Sequence, residues 1–207
     1  MDAKRVLKER RDFSEKRLGE IRAEIAKISD LLHVPDVCLY ATGSYARGEA
    51  SNWSDLDVFF VTNAEKCPKI PMTLISGDLI RLCRRLELPD FSADGRYLEV
   101  HGLTDIKNRL GSPDDDYYNS FTARMLLLLE SKPLARDEIY KQIVEDIVGA
   151  YFRDYHDHNE QFRPVFLVND IVRFWKTLCL NYEHRRNRPA NNVNAKHENH
   201  LALRQSH

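Results

Sequence analysis

The stretch that decides the fold is GSYARGEASNWSDLDVFF, residues 43–60. The apolar run VCLYA at Val37–Ala41 comes directly before it and predicts a buried strand that ends in a Gly-Ser turn. Residues 44–49 predict a short helix, and residues 55–61 (DLDVFFV), rich in aromatic and β-branched side chains, predict a second strand that Ser54 caps. The order of strand, turn, short helix, loop and strand is more specific than any single feature.

Two acidic residues, Asp55 and Asp57, stand two positions apart on the second predicted strand. Side chains alternate along a strand, so both carboxylates are expected on the same side. Two carboxylates in one small space repel each other unless a cation is bound, and Mg²⁺ bridged to phosphate oxygens is a common solution in nucleotide enzymes. A D-x-D pair alone is usually solvated surface, so the inference depends on the neighbouring turn.

The turn supplies groups that bind phosphate. Gly43 permits close backbone approach, while the Ser44 hydroxyl and the N–H groups at the start of the next helix can hold phosphate oxygens. Arg47, one helical turn further on, adds a positive charge or braces an acid, and a purely structural salt bridge is the alternative. Phosphate donors beside metal-binding carboxylates are typical of phosphoryl or nucleotidyl transfer.

The segment resembles the G-S-x-x-R-G and S-D-x-D motif of the DNA polymerase beta nucleotidyltransferase superfamily. Its Arg-Gly-Glu is more similar to minimal nucleotidyltransferases and protein uridylyltransferase-like members than to cyclic-dinucleotide synthases. The resemblance implies an α+β fold with a mixed sheet, an N-terminal helix and a C-terminal helical bundle. It implies two Mg²⁺ ions, or Mn²⁺, bound by Asp55 and Asp57. The nucleoside triphosphate is expected to contact Gly43, Ser44, Arg47 and Ser54.

A third carboxylate on a later strand normally completes the site in this superfamily, where it acts with one metal ion to activate the attacking hydroxyl. Glu99 is the candidate, because Leu98-Glu99-Val100 places one acid inside an apolar run. The alternative is an edge-strand acid that faces solvent. Asp94 and Asp105 are the reserve candidates for this third catalytic and metal-binding position.

The rest of the chain predicts helices around this core. Residues 3–32 are expected to form one long amphipathic helix, and residues 96–103 (RYLEVHGL) a third strand. Pro113 and the three aspartates after it favour a helix N-terminus, with the buried MLLLLES stretch following. Further helices are expected at 72–87, 137–155 and 164–186. The expected organisation is an N-terminal helix 1–33, a nucleotidyltransferase core 34–111, a helical region 112–187 and a disordered tail 188–207.

Polar residues in the second half admit both a functional and an ordinary interpretation. Arg173 and Lys176 lie on the polar face of the last predicted helix, where they either contact nucleotide or form a solvated surface. His156 and His158 have metal-like H-x-H spacing, but residues two apart on a helix diverge, so a solvated cluster is expected. Trp53, beside the motif, is expected either to stack on a base or to cover its loop.

Composition limits the class of protein. With 207 residues, 43% of them apolar, the chain is long enough for one globular core, and its tail is consistent with a shortened version of a larger helical domain. A formal net charge of −1 argues against coating nucleic acid as the main role, although residues 162–207 contain eight Lys or Arg and three acids.

No apolar run approaches the ~20 residues of a membrane helix and no signal core is visible, so we expect a cytoplasmic protein without membrane partners. The four cysteines lack C-x-x-C spacing and are expected to be reduced thiols.

Three functional hypotheses follow from these patterns. The favoured one is an enzyme that moves a nucleoside monophosphate from a nucleoside triphosphate (NTP, with ATP among the candidates) to a hydroxyl of a protein, RNA or small molecule, with release of pyrophosphate. The second is a catalytically weak, antitoxin-like regulatory module, which a missing third acid would favour. The third is an RNA-modifying nucleotidyltransferase that uses its basic C-terminal helix to bind RNA. The oligomeric state stays open.

Overall fold

The computed structural model describes residues 2–65, 69–91, 98–155, 157 and 160–187. The chain divides into two compact units, of which the first ends at Phe166 and the second begins at Leu167. The described helices are α1 (Ala3–Ile25), α2 (Gly43–Arg47), α3 (Lys69–Arg85), α4 (Leu103–Asn108), α5 (Asp114–Tyr117), α6 (Ser120–Leu129), α7 (Asp137–Tyr151) and α8 (Val165–Arg186). The described strands are β1 (Val37–Ala41), β2 (Val58–Thr62), β3 (Val100–Gly102) and β4 (Lys132–Ala135).

The sheet is mixed, with the strand order β3-β2-β1-β4. Strand β1 pairs antiparallel with both β2 and β4, whereas β2 pairs parallel with β3. All five residues of β1 are buried, as expected for a central strand whose sequence is continuously apolar. The predicted α+β fold with a mixed sheet is therefore confirmed, and β1 has the predicted bounds.

Side-chain alternation gives the sheet two different faces. On one face Leu39 and Phe60, which are register partners, belong to the main hydrophobic core together with residues of α1 and α3. On the other face Tyr40 stacks on Phe59 at 5.8 Å between ring centroids, and Tyr140 of α7 lies 6.3 Å from Tyr40. Helices therefore cover both faces of β1.

The N-terminal helix is shorter than predicted. Helix α1 ends at Ile25, and a separate 3₁₀ helix occupies Ser29–His33. Ile28, the residue before it, has an extended backbone (φ −76°, ψ 104°) and is buried, as is Leu31. After this break Ile28 and Leu31 lie in the core, whereas Leu32 is exposed.

The prediction that the second half is purely helical is wrong at β4. This edge strand has four residues and contains Pro133, a residue that sheets tolerate at their edges. Arg22 of α1 donates hydrogen bonds of 2.9 and 2.8 Å from Nε and Nη2 to the Pro133 carbonyl. Helix α1 thereby fixes β4 beside β1.

The predicted helix after Pro113 is two helices, α5 and α6, because Asn119 between them adopts a left-handed conformation (φ 56°). A buried ion pair joins the two: Arg124 of α6 donates bonds of 2.9 and 2.6 Å to the Asp115 carboxylate of α5. The same guanidinium bonds the Tyr151 hydroxyl of α7 at 2.6 Å and the Ile106 carbonyl of α4 at 3.2 Å. One side chain therefore connects four helices.

The other elements lie close to their predicted positions. Helix α3 starts and ends slightly before the predicted 72–87, and α7 and α8 fall within 137–155 and 164–186. Strand β3 covers the end of the predicted strand 96–103, of which residues 96 and 97 lie outside the described residues, as does the predicted tail 188–207. No helix in the described part of the chain has the length and apolar character needed to cross a membrane.

We predict that Arg124→Met lowers the free energy of unfolding by about 3–5 kcal/mol, because the Asp115 carboxylate then stays buried without its partner. Arg81→Met is the matched control, since Arg81 pairs with Asp78 at 2.8 Å on an exposed surface. Its effect should be below about 1 kcal/mol. Urea unfolding of both variants measures the difference, and equal effects would show that the buried pair does not stabilise the fold.

Candidate functional site

The turn between β1 and α2 brings Gly43 against Asp57. Gly43 has φ +63°, and a Cβ atom on it would lie 2.7 Å from Oδ2 of Asp57. The Thr42 N–H donates to the Asp57 carbonyl at 2.9 Å, which continues the β1–β2 ladder by one residue pair. Glycine is therefore required here for two reasons, a left-handed backbone and room for a carboxylate.

Asp55 and Asp57 lie before β2 and not within it. The strand was predicted to start at Asp55, but it starts at Val58. The expected alternation is nevertheless present: Leu56 is buried in the main core with Val58, whereas Asp55 and Asp57 are each partly exposed. The two carboxylates thus point away from the core that Leu56 enters.

Asp55 is also close to α2. Burial raises the pKa of the Tyr45 phenol, and the negative charge of Asp55 adds to the rise. Tyr45 is a core residue of α2, two positions after Gly43, so Asp55 lies near the same short helix that follows the turn. Ser44 is partly buried at the start of this helix, where its backbone and hydroxyl can face a ligand.

Arg47 forms salt bridges with two acidic side chains, which is the structural role considered for it above. Its Nε donates to Glu49 at 2.8 Å, and its Nη1 bonds Glu130, which is 8% exposed at the end of α6. Partial burial lowers the pKa of Arg47, but the hydrogen bonds to Glu49 and Glu130 more than offset this and raise it above its usual value. Arg47 therefore ties α2 to α6, and its contact with nucleotide stays a prediction.

Ser54 stabilises the loop that carries the aspartates. Its hydroxyl accepts a 3.0 Å hydrogen bond from the Ser51 N–H, and its own N–H donates to the Ser51 carbonyl at 3.0 Å. Trp53, between them, is 68% exposed, and both its stacking on a base and its covering of the loop stay predictions. A direct contact between Ser54 and nucleotide stays a prediction.

Helix α1 supports the site through a serine that the sequence analysis missed. Ser14 is fully buried, and its hydroxyl accepts a 3.0 Å hydrogen bond from the N–H of Ala50 in the loop after α2. The signal was present in the sequence, because Ser14 continues the stripe of Leu18, Ile21 and Ile25 at helical spacing. A small polar residue in such a stripe indicates a buried hydrogen-bond partner.

Glu99 lies one residue before β3 and is exposed. Continuing the β2–β3 register back from Phe60 and Val100 puts Glu99 beside Phe59, on the face that Asp57 shares. Burial lowers the pKa of His101, and Glu99 opposes this, so the two side chains are close. The Cα atoms of Asp57 and Glu99 are then roughly 8 Å apart, from strand geometry.

Among the described residues, no group of three or more His, Cys, Asp or Glu side chains is close enough together to hold a metal ion. Asp55 and Asp57 supply two hard oxygen ligands, and the absent Cβ of Gly43 leaves space against the Asp57 carboxylate. The pair fits Mg²⁺, while Glu99 stays a predicted third ligand. Of the reserve candidates, Asp105 pairs with Arg109 at 3.3 Å, and Asp94 lies outside the described residues.

The remaining predicted groups belong to other elements or lie outside the described residues. Arg173 and Lys176 are on α8 in the second unit, and their contact with nucleotide stays a prediction. His156 and His158 lie outside the described residues. Cys38, Cys83 and Cys179 are free thiols, as expected, whereas Cys67 lies outside the described residues.

Comparison with known proteins identifies the family to which this chain belongs. The family model described as a nucleotidyltransferase domain matches residues 19–147, more than half of the chain. Among solved structures, the chain is similar to a chain from a crystal structure of a toxin-antitoxin with AMP-PNP. The two chains are 14% identical, and the alignment covers 70% of this chain and 98% of the other. The TM-score of 0.34 is too low to support a conclusion about function. No curated protein matches the chain. Because the matched region contains the Gly-Ser turn and both aspartates, the chain belongs to the nucleotidyltransferase domain family and is a transferase of the nucleotidyltransferase type.

Proposed function

We propose that this protein transfers a nucleoside monophosphate from an NTP to a hydroxyl group, with a divalent cation, Mg²⁺ or Mn²⁺, bound by Asp55 and Asp57. The observation that carries the proposal is the contact between Gly43 and Asp57. It puts a carboxylate against the backbone of a turn whose N–H groups can face phosphate. Metal ligand and phosphate donors thereby lie within one small volume.

The proposed reaction forms one bond and breaks one bond. The acceptor oxygen attacks the α-phosphorus of the NTP, and the bond between that phosphorus and the oxygen bridging to the β-phosphorus breaks. Pyrophosphate leaves with the bonding electrons, and the hydroxyl proton passes to a nearby carboxylate, for which Glu99 is the candidate. Bound Mg²⁺ would neutralise phosphate charge and make the attacking hydroxyl more acidic.

The chain itself provides positioning. Backbone N–H groups at Gly43 and Ser44 hold the phosphate oxygens, while the Arg47 bonds to Glu49 and Glu130 fix the helix that presents them. Fixed donors need no reorganisation during the reaction, which is the main advantage of a preorganised site. Arg173 and Lys176 are additional candidates for contact with the nucleotide.

We predict that the wild-type protein releases pyrophosphate from at least one of the four NTPs in the presence of Mg²⁺ and a cell lysate as the source of acceptor. An Asp55→Asn, Asp57→Asn variant should lose this activity by at least about 10³-fold, because it retains the shape of the site without its charge. Radiolabelled NTPs identify the donor, and the labelled product identifies the acceptor class.

Nucleotide binding without turnover would contradict the proposal and favour the regulatory module. Equal pyrophosphate release by wild type and variant would show that the activity does not depend on these aspartates. EDTA followed by added Mg²⁺ or Mn²⁺ gives the metal dependence independently of mutation.

We predict that Glu99→Gln lowers kcat by about 10²–10⁴, the usual contribution of a general base, and leaves NTP affinity within a few-fold of wild type. Asp78→Asn is the control, since Asp78 pairs with Arg81 on α3 and belongs to no candidate site. It should keep activity within about twofold. Single-turnover rates and NTP titrations separate the two effects; full activity of Glu99→Gln would remove this residue from the site.

We predict that Gly43→Ala abolishes transfer, because the new methyl group displaces the Asp57 carboxylate and the residue must keep φ +63°. The cost in stability should be about 1–3 kcal/mol. Gly77→Ala in α3 is the control: nothing lies within 4 Å of the added Cβ, so activity should be retained and stability should rise slightly. Thermal melting and pyrophosphate release measure both variants, and an active Gly43→Ala would show that the contact is dispensable.

A further inference from the structure

Helix α1 binds both polar groups of the Ala50 backbone. The Ser14 hydroxyl accepts a 3.0 Å hydrogen bond from the Ala50 N–H and donates to the Arg10 carbonyl of its own helix at 2.8 Å. Nη1 of Arg10 in turn donates to the Ala50 carbonyl at 3.4 Å. Ala50 is itself fully buried. The loop after α2 is therefore fixed to α1 through the backbone of one residue.

The backbone of α1 also approaches the end of α2 closely. A Cβ atom on Gly48 would lie 3.7 Å from Cα of Arg11, and Gly48 is buried with a left-handed backbone (φ 72°). Further along α1, the charge of Arg17 opposes the rise that burial causes in the pKa of the Tyr45 phenol, so this guanidinium lies near α2. Helix α1 thus contacts both α2 and the residues that follow it.

Asp57 is held by the sheet. Its carbonyl accepts the 2.9 Å hydrogen bond from the Thr42 N–H, and β2 starts at the next residue, Val58. Its carboxylate lies against Gly43 in the turn after β1. These contacts form when β1 pairs with β2, so the position of Asp57 is set by the sheet and not by the docking of α1.

Asp55 has a different support. It lies between the buried Leu56 and a turn that Ser51 and Ser54 close with two hydrogen bonds of 3.0 Å each. Because these bonds make the turn one unit, its position relative to the sheet is set at its two ends. One end is Leu56 in the core, and the other is Ala50 on α1.

We propose that Ser14 is a positioning residue of the metal site. By fixing Ala50, it keeps the Asp55 carboxylate at the distance from the second aspartate at which both bind one divalent cation. The inference rests on the proposed function and assigns the placement of one of its two metal ligands to α1. Binding sites of this kind need ligands held within roughly 0.5 Å of the productive geometry, so a loosened Asp55 lowers metal affinity.

The first test is Mn²⁺ binding to the protein without NTP, followed by the EPR signal of free Mn²⁺. Ser14→Ala should weaken binding about tenfold, the lower end of the usual effect of removing a group that orients a ligand. Ser76→Ala is the matched control, because Ser76 of α3 donates to the carbonyl four residues earlier, that of Met72, at 2.9 Å, as Ser14 does in α1. It should leave Mn²⁺ affinity unchanged, and equal weakening by both variants would overturn the proposal.

A double-mutant cycle tests whether Ser14 acts through Asp55. In an Asp55→Asn background the ligand is already lost, so Ser14→Ala should change Mn²⁺ affinity less than about twofold, whereas independent effects would multiply. A full tenfold loss in this background as well would show that Ser14→Ala acts through the fold as a whole, and it would overturn the positioning role.

Amide hydrogen exchange in the absence of metal tests the separate support of the two aspartates. Ser14→Ala should speed exchange of the Ala50 amide and leave that of the Thr42 amide unchanged, because Thr42 reports on the sheet contact of Asp57. Equal acceleration of both amides would show that the sheet opens too, and it would overturn the assignment of Asp55 alone to α1.

Arg10→Met gives a second variant, since Ser14 is fully buried whereas Arg10 is exposed. It removes the other hydrogen bond to Ala50 and should weaken Mn²⁺ binding a few-fold, again only while Asp55 is present. Unchanged Mn²⁺ binding in Ser14→Ala and Arg10→Met, with binding lost in Asp55→Asn, Asp57→Asn, would refute the role of α1 and leave the proposed function intact. Unchanged binding in the double aspartate variant would refute the metal site and the proposed function with it.

Discussion

The close approach of Gly43 to the Asp57 carboxylate sets the geometry of the whole site. A side chain on residue 43 would meet Oδ2 of Asp57 at 2.7 Å, so this contact exists only because the turn has a glycine. The antiparallel pairing of β1 and β2 brings the two residues together, since the Thr42–Asp57 hydrogen bond continues that ladder. A buried central strand, a glycine and a carboxylate thus define the site at which the proposed metal-bound triphosphate would lie.

Elements distant in sequence keep this geometry rigid. Ser14 of α1 holds the loop after α2 through Ala50, and Arg47 attaches α2 itself to Glu130 at the end of α6. Arg124 then connects α6 to three other helices. A change of about 1 Å in a catalytic position can cost a large factor in rate, so these polar contacts serve the candidate site by holding its elements in place.

The sequence was most informative where a local pattern and the tertiary structure agree. The five apolar residues of β1 predicted their own strand, because a central strand needs no polar side. The Gly-Ser turn and Asp57 were identified because one motif contains both. Strand β4 was missed, since four residues including Pro133 have too weak a local preference, and their position depends on pairing with β1 and on Arg22.

Burial of polar groups was the least predictable feature. The break after Ile25 leaves the helical spacing of apolar residues nearly unchanged, so periodicity alone suggested one helix through residue 32. Asp115 was interpreted only as an acid that favours a helix N-terminus, and its partner Arg124, on a different helix, was not predicted. The neighbours of Glu99 could not be predicted either. They depend on which residues of β2 and β3 pair, and this register is set in the folded sheet and not by the sequence of one strand.

The thiol of Cys38 gives the central strand a chemical reporter of its own. It is fully buried on β1, its Sγ lies 3.6 Å from the Ala135 carbonyl of β4, and burial raises its pKa to about 12. Cys38 shares the face of β1 on which Tyr40 packs against Tyr140 of α7. At neutral pH almost no thiolate is present, and a reagent reaches the sulfur when α7 or β4 moves away from β1. The alkylation rate of Cys38 therefore reports opening of the central strand on its α7 and β4 side.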